Sequence, residues 1–207
     1  MLLNLFYNYY IHDLTKFNLR NKSAFISLAK EKGLFENAVF TLCYAKNGGY
    51  MSIGGYTYKY HKSSIQYFNY ISRSGRMYEI PLKKISINNK DDEFEFIDID
   101  NKYFTVIDSG TTLTIFPYYL KERFISKFAT YCKKNDCGIN YNSGSCFNLK
   151  SGVNLEDLNN KLPTISFIFS STDKTNKNHV QINWYPSNYI TPNEINSSNY
   201  CLGISGM

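Results

Sequence analysis

The string Phe104-Thr105-Val106-Ile107-Asp108-Ser109-Gly110-Thr111-Thr112 constrains the fold of this chain more than any other segment. Four strand-forming residues end on one carboxylate, and a Ser-Gly-Thr turn follows at once. On a surface such a turn is ordinary, because Asp and Gly both favour turns. Here Leu113-Thr114-Ile115-Phe116-Pro117 comes straight after it. Beyond Pro117 the apolar period changes. Leu120, Phe124, Phe128 and Tyr131 with Cys132 recur every three to four residues, which predicts one helix of about four turns with proline at its first position. A turn between a core strand and a core helix can hold a carboxylate against fixed donors. The donors expected here are the Gly110 and Thr111 backbone amides and the Thr111 hydroxyl.

The remaining patterns are mainly β. Residues 22–32 read as a short amphipathic helix stopped by Gly33. Runs at Ala38–Tyr44 and Tyr50–Ile53 flank Lys46-Asn47-Gly48-Gly49, a strong hairpin signal. Residues 77–87 alternate apolar with polar, but Pro81 and Lys83-Lys84 interrupt the pattern; Glu93–Phe96 alternates too. Further strands are expected at Leu162–Ser170, Val180–Trp184 and Tyr200–Ile204, with a turn at Pro186-Ser187-Asn188. The chain thus reads as mainly β with two helices and long loops.

Composition removes several function classes. The 207 residues are 43% hydrophobic, enough for a real core, and no apolar run is long enough to cross a membrane as a helix. The net charge is +6, but the 17 acids are interspersed with the bases. No clustered basic face points to a nucleic-acid partner. A serine hydrolase built on Ser109 lacks the Gly-x-Ser-x-Gly string. The five cysteines, Cys43, Cys132, Cys137, Cys146 and Cys201, include no Cys-x-x-Cys, and the three histidines lie far from them. No metal site and no cofactor are therefore expected. Two disulfides with one thiol left over fit better, and imply an oxidising compartment such as the secretory pathway. One bond is expected among Cys132, Cys137 and Cys146; Cys132–Cys137 closes the shortest loop, but Cys146 can replace either partner. Asn21 and Asn196 head two glycosylation sequons, a weak signal among 24 asparagines.

Phe104–Thr112 resembles the second active-site motif of the pepsin-type aspartic proteases. Other segments resemble that family in the same order: Phe40–Tyr44, Met51-Ser-Ile-Gly-Gly55, Tyr78–Leu82 with Ile85–Ile87, Leu162–Phe167, Trp184–Tyr189 and Tyr200–Ile204. The resemblance spans about residues 22–207 and implies the C-terminal lobe of a bilobal acid-protease fold. It places an unmatched stretch and the tail of a first lobe at 1–36, and an incomplete C-terminal lobe at 37–207, lacking closing strands. The nepenthesin and plasmepsin V types look nearest. In that group the positions of Cys43 and Cys201 are expected to pair.

The resemblance gives Asp108 the role of the second catalytic aspartate in aspartic-type endopeptidase chemistry. Ser109 takes the position that ties two active-site loops together, Thr111 the one that bonds the outer carboxylate oxygen, and Thr112 a place lining the substrate cleft. Gly110 completes the loop. Two carboxylates share a proton in such enzymes, a pair that serves as a standard example of coupled carboxylates. No second Asp-Ser/Thr-Gly occurs in this sequence. The expected partners are a peptide or protein substrate and a first lobe carrying the other aspartate, with a homodimer as a rarer source. A membrane anchor downstream is also an expectation from the family. The reading from another class is a non-catalytic pepsin-like binding module or an inactive fragment.

Overall fold

The computed structural model describes residues 2–3, 9–13, 25–37, 39–45, 48–55, 79–88, 96–98, 104–108, 110–170, 179–193 and 199–207. They divide between two compact units. One holds Met1–Asn4, Tyr67–Ile71 and Tyr78–Met207; the other holds Leu5–Gln66 and Ser72–Met77. The 36/37 boundary expected from the sequence falls inside the second unit. Ser109, Asn21 and Asn196 lie outside the described residues.

The elements of the first unit are β1 (Leu2–Leu3), β5 (Glu79–Asn88), β6 (Phe96–Asp98), β7 (Phe104–Ile107), β8 (Thr114–Phe116), α2 (Tyr118–Asn135), β9 (Ile139–Ser143), β10 (Cys146–Leu149), α3 (Leu158–Lys161), β11 (Thr164–Ser170), β12 (His179–Trp184), α4 (Pro186–Tyr189), β13 (Ile190–Pro192), β14 (Asn199–Leu202) and β15 (Ile204–Gly206). The second unit contributes β2 (Tyr9–Asp13), α1 (Phe25–Glu31), β3 (Val39–Ala45) and β4 (Gly48–Ile53). The architecture is mainly β, consistent with the C-terminal lobe of a pepsin-like fold. Beyond the two expected helices, α3 and α4 are single turns. At α4 the expected turn becomes helical because Pro186 suits a first helical position and Asn188 Oδ1 accepts the Tyr185 N–H at 3.1 Å.

The main sheet runs β12-β11-β5-β7-β1-β8-β15, with β6 on β5. The interrupted alternation of residues 79–88 has a simple cause. Phe169 pairs with Leu82 and Ile168 with Lys84, so Lys83 is an extra residue in a bulge. The bulge switches parity. Leu82, Ile85 and Ile87 therefore share one face with Phe169, Phe167 and Ile165, and all six side chains are fully buried. The opposite face carries a polar row at Ser86, Ser166 and Asn183. There the buried Ser166 hydroxyl donates to Asn183 Oδ1 at 2.8 Å and accepts from Gln181 Nε2 at 3.1 Å.

The apolar face meets an aromatic network. Trp184 packs on Phe167, Phe167 on Phe116, and Phe116 on Phe124. Phe124 stacks on Phe128, and Phe128 meets both Tyr141 and Tyr189 edge-on. Tyr141 then touches Phe147, which stacks on Tyr200. The helical period after Pro117 is thus the period of this contact line, and Leu120, Phe124, Phe128, Tyr131 and Cys132 all lie buried on α2. Pro117 stands one residue before the helix, at the cap. Burial pushes the phenols of Tyr141 and Tyr189 up; for Tyr189 the charge of the neighbouring phenols adds to the effect. Tyr189 Oη donates to Pro163 O at 2.7 Å.

A four-stranded sheet, β13-β14-β10-β9, continues from this network. Its register corrects one expectation. Cys146 lies directly opposite Cys201, with Cα atoms 4.0 Å apart, and these two form a disulfide. Cys201 is therefore not bonded to Cys43, which keeps a free, half-buried thiol on β3. The other disulfide is Cys132–Cys137. Asp136 takes a left-handed backbone at the end of α2 and turns the chain so that Cys137 reaches back over the last turn.

In the second unit, β3 pairs with both β2 and β4. Ala45 faces Gly48, so Gly48 and Gly49 both belong to β4. Helix α1 ends as the sequence signals: Gly33 N–H bonds Lys30 O, Leu34 N–H bonds Ala29 O, and Gly33 sits at φ 73°. Gly54 is required twice over. Its φ is 88°, and a Cβ there would stand 2.7 Å from Phe35 Cβ.

Candidate active-site loop

The Asp108 loop leaves the main sheet at the end of β7 and returns to it at β8. Strand β7 is secured by β5, through Glu79–Val106, Ile80–Thr105 and Pro81–Phe104, and on its other side by β1. The returning strand is anchored equally well. β8 pairs in parallel with β15, Thr114 N–H bonds Gly203 O at 3.0 Å, and Phe116 is buried against Phe124 and Phe167. Both stems are therefore tied to packed structure, while Gly110, Thr112 and Leu113 between them stand exposed.

Within the loop both carboxylate oxygens of Asp108 are engaged. The Gly110 amide donates to Oδ1 at 2.9 Å, and Thr111 Oγ1 donates to Oδ2 at 2.5 Å. Glycine at 110 allows this approach, because a Cβ at that position would lie 3.3 Å from Oδ1. The carboxyl plane is thus set by two donors from its own turn, while its half-exposed position leaves it open to a ligand. Such an arrangement can orient a water or a polar substrate group. Thr112 is exposed on the same loop, beside Leu113.

The family model described as xylanase inhibitor C-terminal matches residues 77–207. The chain belongs to this family. It is related to the pepsin-like aspartic proteases, and the match covers β5 through β15 with the Asp108 loop inside it. A search of curated proteins finds none that matches the chain. In this xylanase-inhibitor-type domain no group of three or more His, Cys, Asp or Glu among the described residues could hold a metal ion. No described helix is long and apolar enough to cross a membrane.

Two features of the domain escape sequence reasoning. Leu2 and Leu3 lie beside Val106 and Ile107, against the strand that delivers Asp108. Two residues carry no period, so their only signal is an apolar dipeptide. The Cys146–Cys201 bond escapes because it depends on the register of two short strands; the repeated Cys-aromatic-Asn and Asn-aromatic-Cys order of Cys146–Asn148 and Asn199–Cys201 is the trace it leaves.

Proposed function

We propose that this domain serves as the C-terminal catalytic lobe of an aspartic endopeptidase, with Asp108 as one of two carboxylates that activate a water against a peptide bond. The observation that carries this reading is the engagement of both Asp108 oxygens by donors of its own loop. A surface turn has no need to fix both oxygens of an Asp, whereas a group that must take a proton from a water at a set angle does. The sequence has no second Asp-Ser/Thr-Gly string, so the other carboxylate comes from a first lobe, with Ser109 at the junction of the two loops and Thr112 lining the cleft. The Asn-rich composition and the string Trp184-Tyr-Pro-Ser-Asn-Tyr189 favour a plasmepsin V-like type within that family, although the Cys43–Cys201 pairing no longer does. Two disulfides and the family support passage through the secretory pathway.

The test is to join the chain to a first lobe bearing an Asp-Thr-Gly loop and to assay peptide cleavage at mildly acid pH. Cleavage is expected, blocked by a statine-type mimic whose hydroxyl replaces the attacking water. Asp108→Asn is expected to abolish turnover. Thr111→Val removes one hydrogen bond to a charged group, about 1.5–3 kcal/mol, and is expected to lower kcat/KM by roughly tenfold to a hundredfold. Full activity in Asp108→Asn sinks the proposal.

A binding role is the second reading, and the matched description favours it, since it names the C-terminal domain of an inhibitor. On that reading the chain would capture a xylanase, and Asp108→Asn would leave the capture unchanged. Calorimetry with a xylanase separates the two readings.

A further inference from the structure

Strand β12 ends the main sheet three strands from β7, about 14 Å from the strand that delivers Asp108. Val180 and Trp184 are buried on its apolar side, so Gln181 and Asn183 lie on the other. The backbone stays extended through Tyr185, at φ −87° and ψ 159°. Tyr185 therefore leaves the chain on the side of Gln181 and Asn183, and it is 55% exposed. The two amides are not free to turn. Gln181 Nε2 donates to Ser166 Oγ at 3.1 Å and to Asn183 Oδ1 at 2.7 Å, and Ser166 Oγ donates to Asn183 Oδ1 at 2.8 Å. This triangle stands on a serine that is 1% exposed. It uses both Gln181 N–H groups and both lone pairs of Asn183 Oδ1. Left over are Gln181 Oε1, an acceptor, and Asn183 Nδ2, a double donor; among the described residues neither atom has a protein partner.

A fixed acceptor beside a fixed donor matches neighbouring sugar hydroxyls, because each hydroxyl both donates and accepts. The Tyr185 ring adds a flat apolar surface with a polar rim, which suits the C–H face of a pyranose. Neither β11 nor β12 contains Asp, Glu, Lys or Arg, so the row offers no counter-charge to an ionised ligand. A peptide laid across it would set its apolar side chains on amides and hydroxyls. Residues 181, 183 and 185 form a straight row about 13 Å long, which fits an extended, β-1,4-linked chain; an α-1,4-linked chain coils away from it. We propose that Gln181, Asn183 and Tyr185 form a binding site for a neutral β-1,4-linked oligosaccharide at the edge of the sheet. The site rests on neither reading of Asp108.

Titration of the 207-residue chain with cellohexaose, xylohexaose and chitohexaose in turn, followed by NMR, tests it. With at least one of them the Gln181 and Asn183 side-chain amide resonances are expected to shift, with a Kd of about 0.1–1 mM. The Gly110 amide is expected to stay in place. Maltohexaose and the acidic hexagalacturonate are expected to shift neither side chain. Tyr185→Ala is expected to weaken binding about tenfold. Asn183→Asp keeps an oxygen for Ser166 and Gln181 but loses the outward donors, and is expected to weaken it about three- to tenfold. Near-UV circular dichroism of Trp184, the single tryptophan, checks that each variant folds. If a variant fails that check, the wild-type titrations decide alone. No shift at Gln181 or Asn183 with any of the three sugars up to about 5 mM, several times the weakest Kd expected, overturns the proposal. So does equal binding of maltohexaose or hexagalacturonate. Equal shifts with a neutral Gly-Ser peptide also overturn it, and would reassign the edge to strand addition.

Discussion

In the first unit Phe116, Phe124, Phe128, Phe147, Phe167 and Tyr189 are all fully buried, whereas in the second Phe25, Leu28, Leu34, Met51 and Ile53 stand 39 to 73% exposed. Both units have well-formed elements. Helix α1 is capped at Gly33 as cleanly as any local signal could ask, yet of its described side chains only Ala29 is buried. Local chemistry decides where an element begins and ends, but burial decides how much stability it contributes. The aromatic network, not the count of strands and helices, marks where this molecule is strong.

The sharpest way to break the contrast is to cut the same kind of side chain in each unit. Phe128→Ala removes a ring that touches three others and is expected to cost about 3–5 kcal/mol in urea unfolding. Phe25→Ala, at 68% exposure, is expected to stay within about 0.5 kcal/mol of wild type. Equal losses would mean that the second unit has a core of its own.

Disulfides give the next largest effect. By chain entropy, the Cys146–Cys201 bond, closing 55 residues, is expected to contribute about 4 kcal/mol, and Cys132–Cys137, closing 5, about 2 kcal/mol. Cys43→Ser is expected to change little. Non-reducing peptide mapping should recover both bonds and one alkylated thiol, at Cys43; a Cys43–Cys201 peptide would restore the pairing expected from the sequence.

The buried phenols sharpen the comparison by pH. Burial raises the pKa of Tyr141 and Tyr189 above the usual value near 10, so the folded chain retains protons that the unfolded chain gives up. Stability is therefore intact below about pH 10 and falls as the pH rises beyond it. Absorbance at 295 nm should show both tyrosines ionising only as the fold is lost. Normal titration of either in the folded protein would contradict the packing of Phe128 against them.

The smallest effect belongs to the surface. Lys150 Nζ bonds Asp136 Oδ1 at 2.6 Å, with both side chains exposed, and that hydrogen bond holds the Asp136 carboxyl below its ordinary range. Whatever this pair contributes is present above about pH 4 and is lost as the pH falls through the lowered value. Lys150→Met is expected to leave the thermal midpoint almost unmoved, and high salt should erase any difference. A large shift would show that the turn at Asp136 depends on its ion pair rather than on the neighbouring disulfide.

Much of this was legible in the sequence where a short-range rule governed the outcome. The strand, turn and helix around Asp108 follow from a change of period across one proline. The Gly33 stop and the Gly48-Gly49 hairpin follow from turn chemistry. What was not legible depends on register or on contacts distant in sequence. The Cys146–Cys201 bond needs β10 and β14 aligned residue for residue, and resemblance to a family pointed to Cys43 instead. The pairing of Leu2–Leu3 with β7 and β8 joins segments a hundred residues apart, which no local pattern supplies.

The extra residue in β5 has a consequence for changes in chain length. Removing Lys83 would leave Leu82, Lys84, Ile85, Ser86 and Ile87 opposite the partners they already have on β11, with every side chain on its present face. Removing Lys84 instead gives the same sequence, whereas removing any residue from Ile85 to Ile87 would turn part of the strand inside out. Position 83 is thus where this strand can lose a residue and keep its core. The loss would straighten the bend that the bulge imposes, and so alter the angle at which Glu79–Pro81 meet the strand that ends at Asp108. A deletion neutral for packing would be felt at the carboxylate.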